Sequence, residues 1–234
     1  MSSAASERDA SHMAESAASI AAATIGAVQM GEDGRPMELS SLKDSISDQA
    51  KNVIENIMPM KVIRLTDLYK NSQRSSHDIL ERTPKGALSN KGVTELLETM
   101  KVEILELIQH LDILKLWVQL NIPSIQDGNN FGVSIQEEIA GMLESGKSSG
   151  LNFLDTFTKY YATRGKMITK MNKYPNVEDY RRGVGELDEK KHLLLRHCCL
   201  DLRNNYAVLY DMITKNKDRL ERPRGHGNHT STMY

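Results

Sequence analysis

Apolar residues recur between Leu97 and Val118 at alternating intervals of three and four residues, without a break. Side chains at these intervals line one face of an α-helix, so the pattern predicts a helix from about Asn90 to Ile122 that packs along its whole length. A second apolar line runs beside the first. A helix with two apolar faces has two sets of neighbours, either a thick core of the same chain or another subunit. The first line consists of Leu97, Met100, Ile104, Leu107, Leu111, Leu114 and Val118, and the second of Leu105, Ile108 and Leu116.

The preceding segment predicts another helix, from Ser41, where a capping box begins, to about Lys70. Pro59 lies inside this pattern and should kink the helix, because proline lacks the backbone N–H and clashes with the preceding turn. Residues 71–89 are polar and include proline and glycine, so they predict a flexible connector. The expected inward stripe of the helix is Ile46, Ala50, Val53, Ile57 and Met60.

Two more helices follow. The third runs from near Gly132 to about Met171, and the glycines and serines at 146–150 predict a kink or short break in its middle. The fourth starts at a cap provided by Asn176 and continues to about Arg222. Short connections make neighbouring helices antiparallel, so the fold class is all-α, an up-down-up-down four-helix bundle of long helices. The expected buried line of the fourth helix is Leu195, Cys199, Leu202, Tyr206, Leu209, Ile213 and Leu220.

Composition and charge exclude several classes of protein. The net charge is −1 with 26% charged residues, so the chain has no overall field that would attract nucleic acid or a membrane. No stretch approaches the roughly 18 uncharged apolar residues of a membrane span. We expect an Ala/Ser-rich disordered tail at 1–38, the bundle domain at 39–225 and a flexible C-terminal tail at 226–234.

The sequence offers no catalytic, metal or cofactor site. Cys198 and Cys199 are adjacent, so their side chains diverge on a helix, and a reducing compartment inside the cell is their natural setting. No nucleophile is paired with a base and no glycine loop could hold a phosphate, so we expect no enzyme activity. The acidic cluster Glu186, Asp188 and Glu189 is interpreted as a solvated helix face.

The connection between the second and third helices, residues 122–133, is too elaborate for a plain turn. Pro123 cannot continue the preceding helix, and residues 127–130 (Asp-Gly-Asn-Asn) tolerate left-handed backbone. This loop is either a stiff helix–helix corner or a shaped binding loop. In an up-down-up-down bundle it lies at the same pole as the end of the fourth helix.

Several motifs in this half of the chain carry a family resemblance. They are GNNFGVSIQEE (128–138), KYPNVEDYRR (173–182), LRNNYAVLYDMITKN (202–216), RPRG (222–225) and the terminal Met-Tyr. Together they resemble the 11S proteasome activator family (REG), most closely the REG-gamma type. The resemblance implies a non-ATPase activator of the 20S proteasome that forms a homo-heptameric ring.

The same resemblance implies how the ring acts. Its C-terminal tails enter pockets of the proteasome alpha ring, and its activation loops open the gate, so that peptides and some proteins are degraded without ubiquitin or ATP. Gln126 stands where the family usually has Glu, which puts the strength of gating in doubt. The implied activation-loop residues are Pro123, Gln126, Asp127, Gly128, Asn129, Asn130, Phe131 and Gly132, and the implied tail residues are Thr232, Met233 and Tyr234.

Two other interpretations stay open at this point. The helix periodicity alone also fits a coiled-coil scaffold without proteasome activity. Basic and aromatic residues interleave between Lys159 and Arg182 and could follow a nucleic-acid backbone, although substrate entry or a channel wall is the simpler role. The expected location is the nucleus, the cytoplasm or both. The basic and aromatic set is Lys159, Tyr160, Tyr161, Arg164, Lys166, Lys170, Lys173, Tyr174, Tyr180, Arg181 and Arg182.

Overall fold

The computed structural model of the protein describes residues 39–80, 89–126 and 128–224. The chain divides into two units, Met1–Ser47 and Asp48–Tyr234. In the first unit the described residues, 39–47, are helical. The tails predicted at 1–38 and 226–234 lie outside the described residues. The bundle and the site below belong to the second unit.

Every element of the described chain is helical, which confirms the all-α fold class. Helix α5 packs against α2, α3 and α4, and α3 packs against α4, which together form a four-helix bundle. The elements are α1 (Leu39–Asn52), a π-helical segment (Val53–Ile57), α2 (Met58–Leu80), α3 (Lys91–Leu120), α4 (Phe131–Lys173) and α5 (Glu178–Glu221).

Helix α3 forms the centre of the bundle as its periodicity predicts. Every residue of the line from Leu97 to Val118 is buried. The helix begins after Asn90, whose side-chain oxygen accepts a hydrogen bond from the backbone N–H of Val93 at 3.3 Å. This bond satisfies one of the free N–H groups of the first turn.

The buried line of α5, which includes Cys199, is also confirmed. Cys198 and Cys199 are free and buried. Burial raises the pKa of the Cys198 thiol to about 12 and that of Cys199 to about 11. Both thiols therefore stay protonated and act as small core side chains.

Pro59 acts through a change of helix type. The backbone N–H of Met58 donates to the carbonyl of Val53, five residues back, so a π-helical segment precedes the proline. The wider spacing shifts the register of the following turns. Consequently the stripe predicted from regular periodicity is wrong beyond this point, because Met60 is 55% exposed and Met58 is buried instead.

Three helix boundaries also differ from the sequence prediction. Helix α2 continues to Leu80, so residues 71–80 are not a connector, because the proline and glycine of the segment come only after them. Helix α5 begins at Glu178 with Val177 at the capping position, so the predicted cap by Asn176 is wrong. Helix α1 begins at Leu39, which places Ser41 inside the helix.

The predicted break in α4 is wrong as well, since the helix is continuous from Phe131 to Lys173. A Cβ atom on Gly146 would lie 3.0 Å from the side chain of Leu111, and one on Gly150 would lie 3.1 Å from Ile108. The glycines therefore allow α3 and α4 to approach closely, which compensates for their low helix propensity.

The acidic cluster of α5 is not wholly solvated, which corrects the sequence interpretation. Asp188 is buried and accepts hydrogen bonds from the Arg164 Nε atom at 2.9 Å and from the Tyr160 hydroxyl at 2.8 Å. Arg164 and Tyr160 are buried too, so neither can line a channel or bind nucleic acid. Burial of Asp188 is tolerated because the carboxylate is paired and hydrogen-bonded.

No described helix is long and apolar enough to cross a bilayer.

Candidate functional site

The end of α3, the start of α4 and the end of α5 meet at one pole of the bundle. Gln136 of α4 connects all three, because its Nε2 atom donates to the carbonyl oxygen of Asn121 at 3.0 Å and to that of Leu220 at 2.8 Å. The prediction that the loop and the end of the last helix share a pole is therefore confirmed. We call residues 121–132 and 219–224 the loop pole.

The loop itself has a defined backbone. The backbone N–H groups of Asn121 and Ile122 donate to the carbonyls of Val118 and Gln119, which ends α3 in a tight turn. Gly128 has φ +84° and Asn129 has φ +38°, both in the left-handed region. Glycine and asparagine are the residues that adopt this region at least cost, so the sequence expectation for these two positions is confirmed.

Gly132 is required for a reason that the sequence does not reveal. A Cβ atom at this position would lie 2.6 Å from the Cα and carbonyl carbon of Pro223, and closer still to its carbonyl oxygen. Only glycine lets the first turn of α4 touch the backbone that follows α5. Gly132 therefore serves close approach between two segments rather than a special backbone angle.

Two further contacts hold the loop against the end of α5. The side-chain amide of Asn129 donates to the carbonyl oxygen of Arg224 at 3.2 Å. The Arg219 guanidinium lies 4.9 Å from the centre of the Phe131 ring, in cation–π geometry. Beside these contacts is an open cleft of about 700 Å³, lined by Asn129 and by residues 218, 219 and 221–224.

The loop presents apolar and amide side chains to solvent at the same time. Ile125 is fully exposed, Phe131 is 64% exposed and Ile122 is 41% exposed. Gln126 is exposed as well. A surface of this kind can bury apolar area against a partner while its amides form hydrogen bonds.

The structure places most of the predicted loop residues at this pole. Gly128, Asn129, Phe131 and Gly132 lie in the loop or at the start of α4, and the carbonyl of Asn130 accepts a hydrogen bond from the backbone N–H of Ser134 at 3.0 Å. The side chain of Asn130 does not cap the helix. Gln126 lies on the exposed part of the loop, whereas Pro123 is half-buried. The predicted residues outside the description are Asp127, Thr232, Met233 and Tyr234.

Sequence reasoning missed Gln136, Ile125 and Arg219. A signal for Gln136 exists, because it occupies the inward register of α4 together with Gly132, Ile139 and Leu143. A polar side chain in such a stripe implies a specific hydrogen-bond partner. Nothing in the sequence names that partner, and no local signal points to Ile125 or Arg219.

A second exposed surface lies on α3. Leu105 is 43% exposed, Leu116 is 39% exposed and Val102 is 45% exposed. Ile108, which the sequence groups with this line, instead packs near Gly150 of α4. The described residues also contain no cluster of three His, Cys, Asp or Glu side chains that could hold a metal ion.

Comparison with known proteins decides the family. Residues 87–230 match the family model described as the C-terminal part of proteasome activator PA28. The chain belongs to the PA28 family of proteasome activators. Human proteasome activator complex subunit 3 is 34% identical over 244 aligned residues, which cover 85% of this chain and 95% of the human protein. The resemblance found in the motifs is therefore confirmed.

Solved structures agree with the PA28 assignment. The 11S subunit PA28 of the Plasmodium falciparum proteasome is 36% identical, with a TM-score of 0.69 over 80% of this chain and 92% of that chain. PA26 from Trypanosoma brucei, solved in complex with the yeast 20S proteasome, is 14% identical with a TM-score of 0.60 over 82% and 97% of the two chains. At that identity the match to PA26 shows the fold alone.

Proposed function

We propose that this protein is a non-ATPase activator of the 20S proteasome, with the loop pole as the surface that faces the proteasome alpha ring. The main support for the proposal is that the loop is held against the end of α5. Hydrogen bonds of Gln136 and Asn129 and the Gly132–Pro223 contact connect the two segments. The arrangement gives one partner two features at once, a shaped loop and the start of the C-terminal tail.

The tail supplies affinity in this proposal. Residues 226–234 end in Thr232, Met233 and Tyr234, which combine an apolar side chain, an aromatic ring and a carboxylate. A terminal carboxylate is a ligand that a basic pocket can capture. One tail binds weakly, whereas several tails on one rigid ring gain about 10²–10⁴ in avidity without any new contact.

A ring of identical chains follows from the need for several tails. Seven-fold symmetry, the state implied by the resemblance to 11S activators, would match the seven-fold alpha ring. The exposed apolar side chains Val102, Leu105 and Leu116 on α3 support self-association, because head-to-tail contacts through such a face close into a ring. Peptides and proteins in transit would pass through its channel.

The loop supplies the switch. A ligand shifts an equilibrium only by its differential affinity for the two states, so the loop must contact the open gate better than the closed one. A loop whose backbone is fixed at Gly128, Asn129 and Gly132 can make that distinction. Gln126 keeps hydrogen-bonding capacity but lacks the charge of the Glu usual in the family, so gate opening would be weaker than with Glu while docking would be unaffected.

In this proposed function the protein regulates a protease and is not itself an enzyme. Membership of the PA28 family favours this interpretation over a coiled-coil scaffold. The activity belongs inside the cell, in the nucleus, the cytoplasm or both, and it involves no metal, cofactor, membrane or nucleic acid. Residues 39–225 would be the activator domain, with a tail on each side at 1–38 and 226–234.

The direct test mixes the purified chain with 20S proteasome and a fluorogenic peptide. Hydrolysis should rise well above that of the proteasome alone, and the chain alone should cleave nothing. The mass in solution should lie near seven times 26.3 kDa. A strictly monomeric chain, or one that leaves proteasome activity unchanged, contradicts the proposal.

A further inference from the structure

Gln136 is a fully buried amide that joins the ends of two other helices. Its relative exposure is 0%. The Nε2 atom lies 3.0 Å from the carbonyl oxygen of Asn121 and 2.8 Å from that of Leu220. A side-chain amide nitrogen carries two hydrogens, so this one group serves both carbonyls.

Each of these carbonyls lies at a point from which a functional segment departs. Asn121 follows the last residue of α3 and precedes the loop. Leu220 is in the last turn of α5 and precedes the tail. Carbonyls at helix ends lack a partner within the helix, so the two hydrogen bonds also complete the termini of α3 and α5.

The two acceptors determine the orientation of the amide. With the amide reversed, Oε1 of Gln136 would face two carbonyl oxygens and none of the three could form a hydrogen bond there. Unpaired polar groups in a buried position are costly, and the observed orientation leaves only Oε1 without a partner whereas the reversed one leaves both carbonyls unpaired too, so Nε2 faces Asn121 and Leu220. A carboxylate at this position would face the same repulsion.

We infer that Gln136 is a positioning residue for gate opening. It holds the loop at a fixed place relative to the end of α5, from which the C-terminal tail departs. This inference rests on the proposed function. Gln136 is buried and so does not touch the proteasome. The tails give affinity whatever the conformation of the loop. They place the loop against the gate only if the loop and the end of α5 move as one rigid body. Gln136 supplies that connection from inside the bundle.

Gln136→Met tests the inference, because methionine keeps the volume and removes both donors. The maximal stimulation of peptide hydrolysis at saturating activator should fall about tenfold, which corresponds to about 1.4 kcal/mol. The activator concentration for half-maximal binding to the 20S proteasome and the ring mass should stay unchanged. Gln119→Met, an exposed glutamine near the same loop, is the matched control and should behave as the parent.

Unchanged maximal stimulation by Gln136→Met overturns the inference, whether or not binding weakens. A parent chain that fails to stimulate the proteasome overturns the proposed function itself. An active parent with an equally active variant overturns only the role of Gln136. The two failures are therefore distinguishable in one experiment.

Gln136→Glu gives a second readout if the methionine variant folds poorly. An ionised carboxylate only accepts hydrogen bonds and repels both carbonyls, whereas a protonated one donates to one of them. The stimulation by this variant, divided by that of the parent at the same pH, should rise as the pH falls from about 8 to about 6. A ratio that does not change with pH contradicts the inference.

Discussion

Gly132 at the start of α4 and Pro223 beyond the end of α5 are in direct backbone contact, so close that no other residue fits at position 132. The contact links the loop at 121–132 to the segment that follows α5. Residues 132 and 223 are distant in sequence, yet the antiparallel order of the bundle brings them together. The loop pole is thus a packed part of the domain rather than two independent loose ends.

Gly132→Ala should damage this pole. The added methyl group would collide with backbone atoms of Pro223, which cannot move aside as a flexible side chain could. Overpacking of this kind costs typically about 1–3 kcal/mol, so we expect a lower midpoint of thermal unfolding and a large loss of stimulated peptide hydrolysis.

Gly141→Ala is the matched control for that substitution. A Cβ atom at Gly141 would meet no other atom within 4 Å, and the position lies in the same helix. Alanine should stabilise α4 there by up to about 1 kcal/mol and leave stimulation unchanged. Equal behaviour of the two variants would contradict the role assigned to the Gly132–Pro223 contact.

His110 gives the fold a specific sensitivity to acid. Its Nδ1 atom lies 2.8 Å from the hydroxyl of the buried Tyr206, and the two groups share a hydrogen bond whose direction depends on the imidazole tautomer. Burial, and then the Lys61 ammonium, lower the pKa of His110 to about 4, while Glu106 opposes the shift.

The consequence for stability follows from the difference between the two states. The pKa of His110 is 6.5 in the unfolded chain and about 4 in the folded chain. Between these values the unfolded chain binds a proton at His110 and the folded chain does not. Stability is therefore lost as the pH falls through this window, by about 1 kcal/mol at pH 5.5. His110→Gln, which cannot titrate, should lose less stability than the parent between pH 7 and pH 5.5 in denaturant unfolding. Parallel losses in the two proteins would show that His110 does not carry this effect.

Deletion of Met233 and Tyr234 should abolish binding to the 20S proteasome. The deletion removes the native terminal carboxylate and its apolar neighbours, which the proposed function makes the source of affinity. The truncated chain should keep the mass of the parent assembly in solution. A tag at the N-terminus should leave binding intact, whereas a tag at the C-terminus should act like the deletion. Tight binding by the truncated assembly, measured by co-sedimentation, would overturn the role of the tail.

The sequence predicts the elements of this fold well where packing follows a regular period. The buried lines of α3 and α5 agree with the prediction at every position because an uninterrupted helix repeats its inward face at known intervals. The same rule fails after Pro59, because the π-helical segment before it changes the interval. Proline signals a disturbance at this place but not the form that the disturbance takes.

The site is only half visible in the sequence. Gly128 and Asn129 announce a left-handed backbone through residue type alone. The roles of Gln136 and Asp188 depend on hydrogen-bond partners on other helices, which the local sequence pattern does not specify. The pairing of Asp188 with Arg164 could not be predicted for the same reason. Helix periodicity predicts which face of a helix is buried but not which residue of another helix lies opposite.

Asn129→Tyr separates the role of the loop in gate opening from docking to the 20S proteasome. The bulky side chain replaces the amide that contacts Arg224 and occupies the exposed face of the loop. Binding to the 20S proteasome and stimulated peptide hydrolysis should be measured on the same samples, with Asn129→Gly as a control that keeps the left-handed backbone. We expect the tyrosine variant to bind as the parent does but to give no stimulation. Parent-like stimulation by this variant would contradict the role assigned to the loop.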